Sequence, residues 1–131
     1  MPKGHIVADL MIAYGRTAFA TTDNSHPLVY QLPARDIATI QSYLYSTFGL
    51  QYDIYRARYV PCHSVISSPF DEYDPDLRTA LCALCECFWE RYRVLHGSEC
   101  EPPDYLVKVV EFVERQYFLR FSYCDGRLID D

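Results

Sequence analysis

Glycine is scarce in this sequence, and several catalytic motifs are absent. Five glycines occur in 131 residues, and none lie close enough together to form a Gly-rich phosphate-binding loop. The sequence also lacks HExxH and Gly-x-Ser-x-Gly, so it predicts neither a zinc protease nor a serine hydrolase of those types. We therefore expect a protein that is not an enzyme and that uses no cofactor and no metal.

Basic residues are also in short supply. The chain has 12 lysines and arginines against 18 aspartates and glutamates, which gives a formal net charge of −6. Binding to nucleic acid depends mainly on positive groups that neutralise phosphates. The charge balance therefore predicts that the protein has no direct nucleic-acid partner.

Long apolar runs are missing as well. The apolar stretch at residues 6–14 is short, carries Asp9 and lacks the small-residue cleavage site of a signal peptide. No run approaches the roughly 20 apolar residues that cross a bilayer. We therefore expect a cytoplasmic protein with no membrane partner, in which the six cysteines are reduced thiols.

Hydrophobic patterning predicts a single α+β domain over residues 1–131. Residues 6–14, 16–22 and 28–32 are predicted as strands of a small antiparallel meander, with a bend at Gly15. Residues 50–60 alternate like a further strand, which would place Tyr55 and Tyr59 on one face and Tyr52 on the other.

Three helices are predicted from apolar residues spaced three and four apart. The first runs from Ile37 to Phe48 and ends at Gly49; the second spans 74–97, with Asp74 as its cap; the third lies over 104–117. Residues 117–124, an Asp-Gly turn and residues 127–129 predict a closing hairpin. The expected architecture is an antiparallel sheet with about three helices packed on one side.

Negative charge is concentrated in the second half of the sequence. Residues 1–70 carry a net charge of +1, whereas residues 71–131 carry −7. Acidic residues at helix starts interact favourably with the helix dipole, which is one explanation for the pattern. The other is an acidic surface that docks on a partner protein with a basic surface. The candidate residues for that surface are Asp71, Glu72, Asp74, Asp76, Glu101 and Asp104.

Tyrosines provide a second candidate for partner contact. The sequence has 12 tyrosines, and those between residues 43 and 59 exceed what one buried face can absorb. Exposed tyrosine offers contact area at low entropic cost and is typical of interfaces. We predict Tyr52, Tyr55 and Tyr59 as contact residues. A tyrosine-lined strand can equally pair with a second copy of the chain, so a homodimer is a further expectation.

Two cysteine patterns keep alternative functions open. Pro61-Cys62-His63-Ser64-Val65 resembles the reactive Pro-Cys-His-Arg-Val segment of the alkylguanine-DNA alkyltransferases, although Ser64 replaces the arginine. The resemblance implies a cysteine-dependent enzyme centred on Cys62 and His63. Separately, Cys82-x-x-Cys85 and His96-x-x-x-Cys100 spell a zinc-like pattern, implying a zinc-stabilised adaptor. One unbroken helix would keep these two pairs apart.

A further resemblance lies in the same helical segment. Ala80-Leu81, Cys85 and Trp89 resemble the elongin-binding box of cullin-ligase substrate adaptors, in which a leucine and a cysteine enter a groove. The same spacing is also that of a core stripe on a helix.

These observations lead to one functional hypothesis. We expect a non-enzymatic protein-binding module that acts through an acidic, tyrosine-rich surface. By analogy with small acidic proteins that lack recognisable motifs, it would be a phage or viral inhibitor of a host nucleic-acid-processing defence complex, similar to an anti-CRISPR.

Overall fold

Helices form most of the described part of the chain. The structure, a computed structural model, describes residues 3–20, 31–56, 58–61, 73–124 and 127–130. The elements in chain order are α1 (Lys3–Ala20), α2 (Ala34–Phe48), β1 (Leu50–Asp53), β2 (Arg58–Pro61), α3 (Pro75–His96), α4 (Asp104–Tyr117), β3 (Phe121–Cys124) and β4 (Arg127–Asp130). The strands pair antiparallel as two separate hairpins, β1 with β2 and β3 with β4. The predicted α+β class is confirmed, and the helix count in the described residues is close to the expected three.

The first helix corrects the prediction of an N-terminal meander. Residues 6–14 and 16–20 belong to α1, and Gly15 lies inside the helix rather than at a bend. Val7, Leu10 and Tyr14 are spaced three and four apart, and all are buried where α1 packs on α3. The apolar content of this segment fits either structure, and packing against α3 selects the helix. Most of the predicted strand at 28–32 lies outside the described residues, and residues 31–32 are not in a strand.

The helix α3 is central, because it packs more extensively against the other described helices than any of them does. Its start follows the prediction: the Asp74 side chain accepts a hydrogen bond from the Asp76 N–H at 2.7 Å, and Pro75 occupies the first turn. Its largest fully buried side chains, those of Leu77, Leu81, Leu84 and Phe88, form one stripe of the hydrophobic core.

The end of α2 directs the chain into the first hairpin. Gly49 adopts a left-handed conformation with φ of 64°, and its N–H donates to the carbonyl groups of Leu44 and Tyr45. The chain then enters β1 directly. Residues 50–60 do not form the predicted single strand, because they turn back after Asp53 into β2.

The helix α4 follows the prediction, whereas the first strand of the closing hairpin is shorter than the predicted 117–124, because Tyr117 ends α4 and β3 begins at Phe121. In α4, Leu106, Val109 and Val113 are buried at helical spacing. The closing hairpin pairs β3 with β4, and its predicted Asp-Gly turn lies outside the described residues.

A buried polar contact ties the helices to the segment that precedes α2. The Leu32 N–H donates to the Tyr14 hydroxyl at 2.6 Å, and both residues are buried. The guanidinium of the largely buried Arg91 lies 4.6 Å from the centre of the Tyr14 ring. Tyr14 therefore joins α1, α3 and the chain entering α2.

None of the helices in the described ranges combines the length and apolarity needed to span a lipid bilayer.

Candidate functional site

The turn between β1 and β2 carries the most exposed apolar side chains of the hairpin. Ile54 is 71% exposed and Tyr55 is 94% exposed. A carboxylate oxygen of Asp53 accepts hydrogen bonds from the N–H groups of Tyr55, at 2.9 Å, and Arg56, at 3.3 Å. The second oxygen lies 3.6 Å from the Arg56 Nε. The Asp53 side chain thus orders the turn while the apolar side chains face solvent. We call Ile54 and Tyr55 the hairpin tip.

Two of the predicted tyrosines form a pair below this tip. Tyr52 and Tyr59 are directly opposite in the β1–β2 register, and their ring centres are 5.3 Å apart. The sequence alternation predicted opposite faces for them, which is wrong because the chain reverses between the two residues. Burial raises the pKa of the Tyr59 hydroxyl, an effect that a hydrogen bond with Gln41 partly offsets.

A shallow groove lies between this tyrosine pair and α2. Its volume is about 500 Å³, and its lining carries no charged side chain. Gln41, Ser42 and Tyr45 line it from α2, and the paired tyrosines line it from the hairpin. Hydroxyl and amide groups can donate and accept hydrogen bonds, so this surface suits uncharged polar groups of a partner.

The structure separates the predicted acidic residues into two groups. Asp74 and Asp76 lie at the start of α3, whereas Glu101 and Asp104 lie at or just before the start of α4. The ring centres of Tyr105 and Phe88 are 5.6 Å apart, so the start of α4 lies beside Phe88 of α3. Phe88 is about 21 Å from Asp74 along the axis of α3.

This separation matters electrostatically, because the screening length at physiological salt is about 8 Å. The two described groups therefore act independently of each other. Asp71 and Glu72 lie outside the described residues, and the Asp74 carboxylate is engaged in capping α3.

Two cysteines of α3, Cys85 and Cys87, are poorly suited to nucleophilic chemistry. None of Cys82, Cys85, Cys87 and Cys100 forms a disulfide bond. Burial raises the pKa of the Cys85 thiol well above its usual range, and it raises that of Cys87 to about 11. Thiols with such pKa values are protonated at neutral pH, whereas the thiolate is the nucleophile. Cys62 and His63, the proposed enzymatic pair, lie outside the described residues.

The zinc-like pattern is not assembled. Cys82, Cys85 and His96 all lie on the unbroken helix α3. Across the described ranges, no group of three histidine, cysteine or acidic side chains comes together in a way that could hold a metal ion.

The segment that resembles the elongin-binding box lies in the core. Ala80, Leu81 and Cys85 are fully buried, and Trp89 is nearly so. These side chains pack against the other helices and do not face a partner's groove, so the core-stripe interpretation is confirmed.

Sequence reasoning missed two exposed apolar residues. The alternation of residues 50–60 predicts a continuous strand through Ile54, although the preceding Asp53 is a frequent turn residue and therefore indicates a turn. Phe118, which follows α4, is 92% exposed and has a positive φ of 56°. No pattern in the sequence predicts a left-handed backbone conformation at this phenylalanine.

Comparisons with protein-family models, with curated proteins and with solved structures give no match for this chain.

Proposed function

We propose that this chain is a non-enzymatic protein-binding module that contacts its partner through the hairpin tip. The observation that carries the proposal is the ordered turn in which Ile54 and Tyr55 are held in solvent by Asp53. Exposing large apolar side chains to water in a fixed turn is unfavourable in free energy, and a partner that covers them gains binding free energy.

The hairpin tip would supply a substantial part of the free energy of binding. Fully burying one large apolar side chain contributes about 1.5–3 kcal/mol, so Ile54 and Tyr55 together would contribute about 3–6 kcal/mol. The adjoining groove between α2 and the hairpin adds uncharged hydrogen-bonding groups next to this anchor. Tyr52 and Tyr59 would then contact the partner at the edge of the same surface.

The more specific part of the proposal concerns the partner. The acidic excess of residues 71–131 favours a partner protein with a basic surface. We propose that this partner is a host nucleic-acid-processing defence complex, which the chain, as a phage or viral protein, would inhibit. A cytoplasmic location, in the host cell for a viral protein, belongs to this proposal. Because the described acidic residues at the starts of α3 and α4 form two groups, each group would contribute separately.

Affinity capture from host extract tests the hairpin tip. The test variant combines Ile54→Ser with Tyr55→Ala, and the control variant is Val94→Ser, which removes another exposed aliphatic side chain, from α3. We expect the wild type and the control to capture the same protein, and the tip variant to bind it at least 100-fold more weakly, as a loss of about 3 kcal/mol implies. All three proteins should have similar melting temperatures, because the altered side chains are exposed.

Equal capture by the tip variant and the control would contradict the proposal. The two acidic groups are tested on the captured partner by separate charge reversals. Asp76→Lys changes the group at the start of α3, and Glu101→Lys with Asp104→Lys changes the group at the start of α4. The variant that weakens binding and reduces its salt dependence identifies the acidic group that faces the partner.

A further inference from the structure

Another cavity lies between α1 and α4. Its volume is about 210 Å³, and it is lined by one residue of α1 and five of α4, namely Ile6, Lys108, Glu111, Phe112, Arg115 and Gln116. These residues belong neither to the hairpin tip and its adjoining groove nor to the two acidic groups. A ligand bound in this cavity would therefore be independent of the proposed function.

The lining of this cavity has an excess of positive charge. Lys108 and Arg115 supply two positive charges and Glu111 supplies one negative charge, in a chain whose net charge is −6. The two cations share one face of α4, and Glu111 lies one helical turn from each. Among the described residues neither cation forms an ion pair, with Glu111 or with any other acid. Both positive charges are thus left to attract an anion.

The guanidinium group of Arg115 retains most of its hydrogen-bond donors. Its Nε donates to the carbonyl oxygen of Glu111 at 3.5 Å, and within the described ranges the two terminal amino groups donate to no other residue. These amino groups form the planar fork that binds both oxygens of a carboxylate. The neighbouring amide of Gln116 can donate a further hydrogen bond to such a group.

The cavity also has apolar walls. Phe112 is buried, and Ile6 is half-buried and packs against the hydrophobic core. Covering apolar surface of a ligand with these side chains removes it from water, which favours binding. Pockets for drug-sized ligands have volumes of about 300–1,000 Å³, so a cavity of about 210 Å³ suits a smaller molecule.

We propose that this cavity binds a small organic monocarboxylate, whose carboxylate pairs with Arg115 and Lys108 and whose short apolar tail contacts Ile6 and Phe112. The charge count favours a monoanion, because Glu111 would repel the second negative charge of a phosphate dianion. The acidic balance of the whole chain opposes this only weakly, since charges beyond about 8 Å are screened at physiological salt.

NMR titration of the full chain with hexanoate tests the proposal and locates the ligand. We expect saturable shifts at the Ile6 methyl groups and at the amides of residues 108–116, with a Kd of about 1 mM or tighter. Hexanamide has the same tail without the charge, acetate has the charge with almost no tail, and inorganic phosphate is an anion without a tail. Each of these three should bind at least tenfold more weakly than hexanoate.

Charge substitutions provide the second arm of the test. Arg115→Gln removes a cation from the cavity and should weaken hexanoate binding at least fivefold. The matched control Arg120→Gln removes an exposed cation that does not line the cavity, and it should leave the affinity unchanged. Glu111→Gln removes the negative charge from the lining and should tighten binding at least twofold.

Several results would overturn the proposal. These are the absence of saturable shifts up to about 20 mM hexanoate, and an affinity for hexanamide, acetate or phosphate equal to that for hexanoate. Equal affinities of Arg115→Gln and Arg120→Gln for hexanoate would overturn it as well. Neither outcome bears on partner capture by the hairpin tip, which uses other residues.

Discussion

The Tyr14 hydroxyl has a structural role whose size can be worked out from its surroundings. It is the acceptor for the buried Leu32 N–H at 2.6 Å, and its ring lies beneath the Arg91 guanidinium. Tyr14→Phe removes the hydroxyl while keeping the ring and its contact with Arg91. The Leu32 N–H is then left in the core without this acceptor.

A buried donor that loses its partner costs about 1–3 kcal/mol. For 131 residues the unfolding entropy is roughly 0.28 kcal/mol/K, so the melting temperature should fall by about 4–11 °C. Calorimetry and urea unfolding measure the change. Tyr55→Phe is the matched control, because it removes a hydroxyl from an exposed ring and should change stability by less than about 0.5 kcal/mol.

The urea slope should be the same for the wild type and Tyr14→Phe, because the substitution does not change the surface exposed on unfolding. A Tyr14→Phe variant as stable as the control would refute the reasoning. It would mean that the Leu32 N–H does not depend on the Tyr14 hydroxyl.

Two further predictions concern α3. Asp74→Ala removes the side chain that caps the helix and should lower the free energy of unfolding by about 1 kcal/mol. The control Asp76→Ala removes a side chain that makes no cap and should lower the free energy of unfolding by under about 0.5 kcal/mol. Equal effects of the two substitutions in thermal unfolding would contradict the capping role of Asp74. The second prediction concerns pH. Burial, reinforced by the nearby Glu90 and Glu86, raises the pKa of the Cys87 thiol from 9.0 to about 11. Between these two pH values the folded protein keeps the thiol proton, whereas the unfolded chain loses it. The free energy of unfolding should therefore fall between pH 9 and about 11, and urea unfolding should show a smaller fall for Cys87→Ala; identical pH profiles would count against a buried thiol.

The candidate site was only partly predictable from sequence. The surplus of tyrosines identified the region of the hairpin, but the spacing of Tyr52 and Tyr59 was interpreted as that of a straight strand. In the structure a turn ordered by Asp53 brings these two rings together and exposes the hairpin tip. The acidic residues were visible in the sequence, whereas their separation depends on the length of α3 and the place where α4 packs against it.

Local interactions explain what the sequence determined by itself. The helices α2, α3 and α4 were predicted because capping, apolar spacing and helix-ending glycines act within a few residues, as at Asp74 and Gly49. The tertiary structure alone decided the rest. The pattern of residues 6–14 fits a strand or a helix, and packing of this segment against α3 selects the helix. Phe118 is exposed because Glu114 and the core fix the chain on both sides of it. Such outcomes depend on contacts between residues distant in sequence, and a local pattern does not contain them.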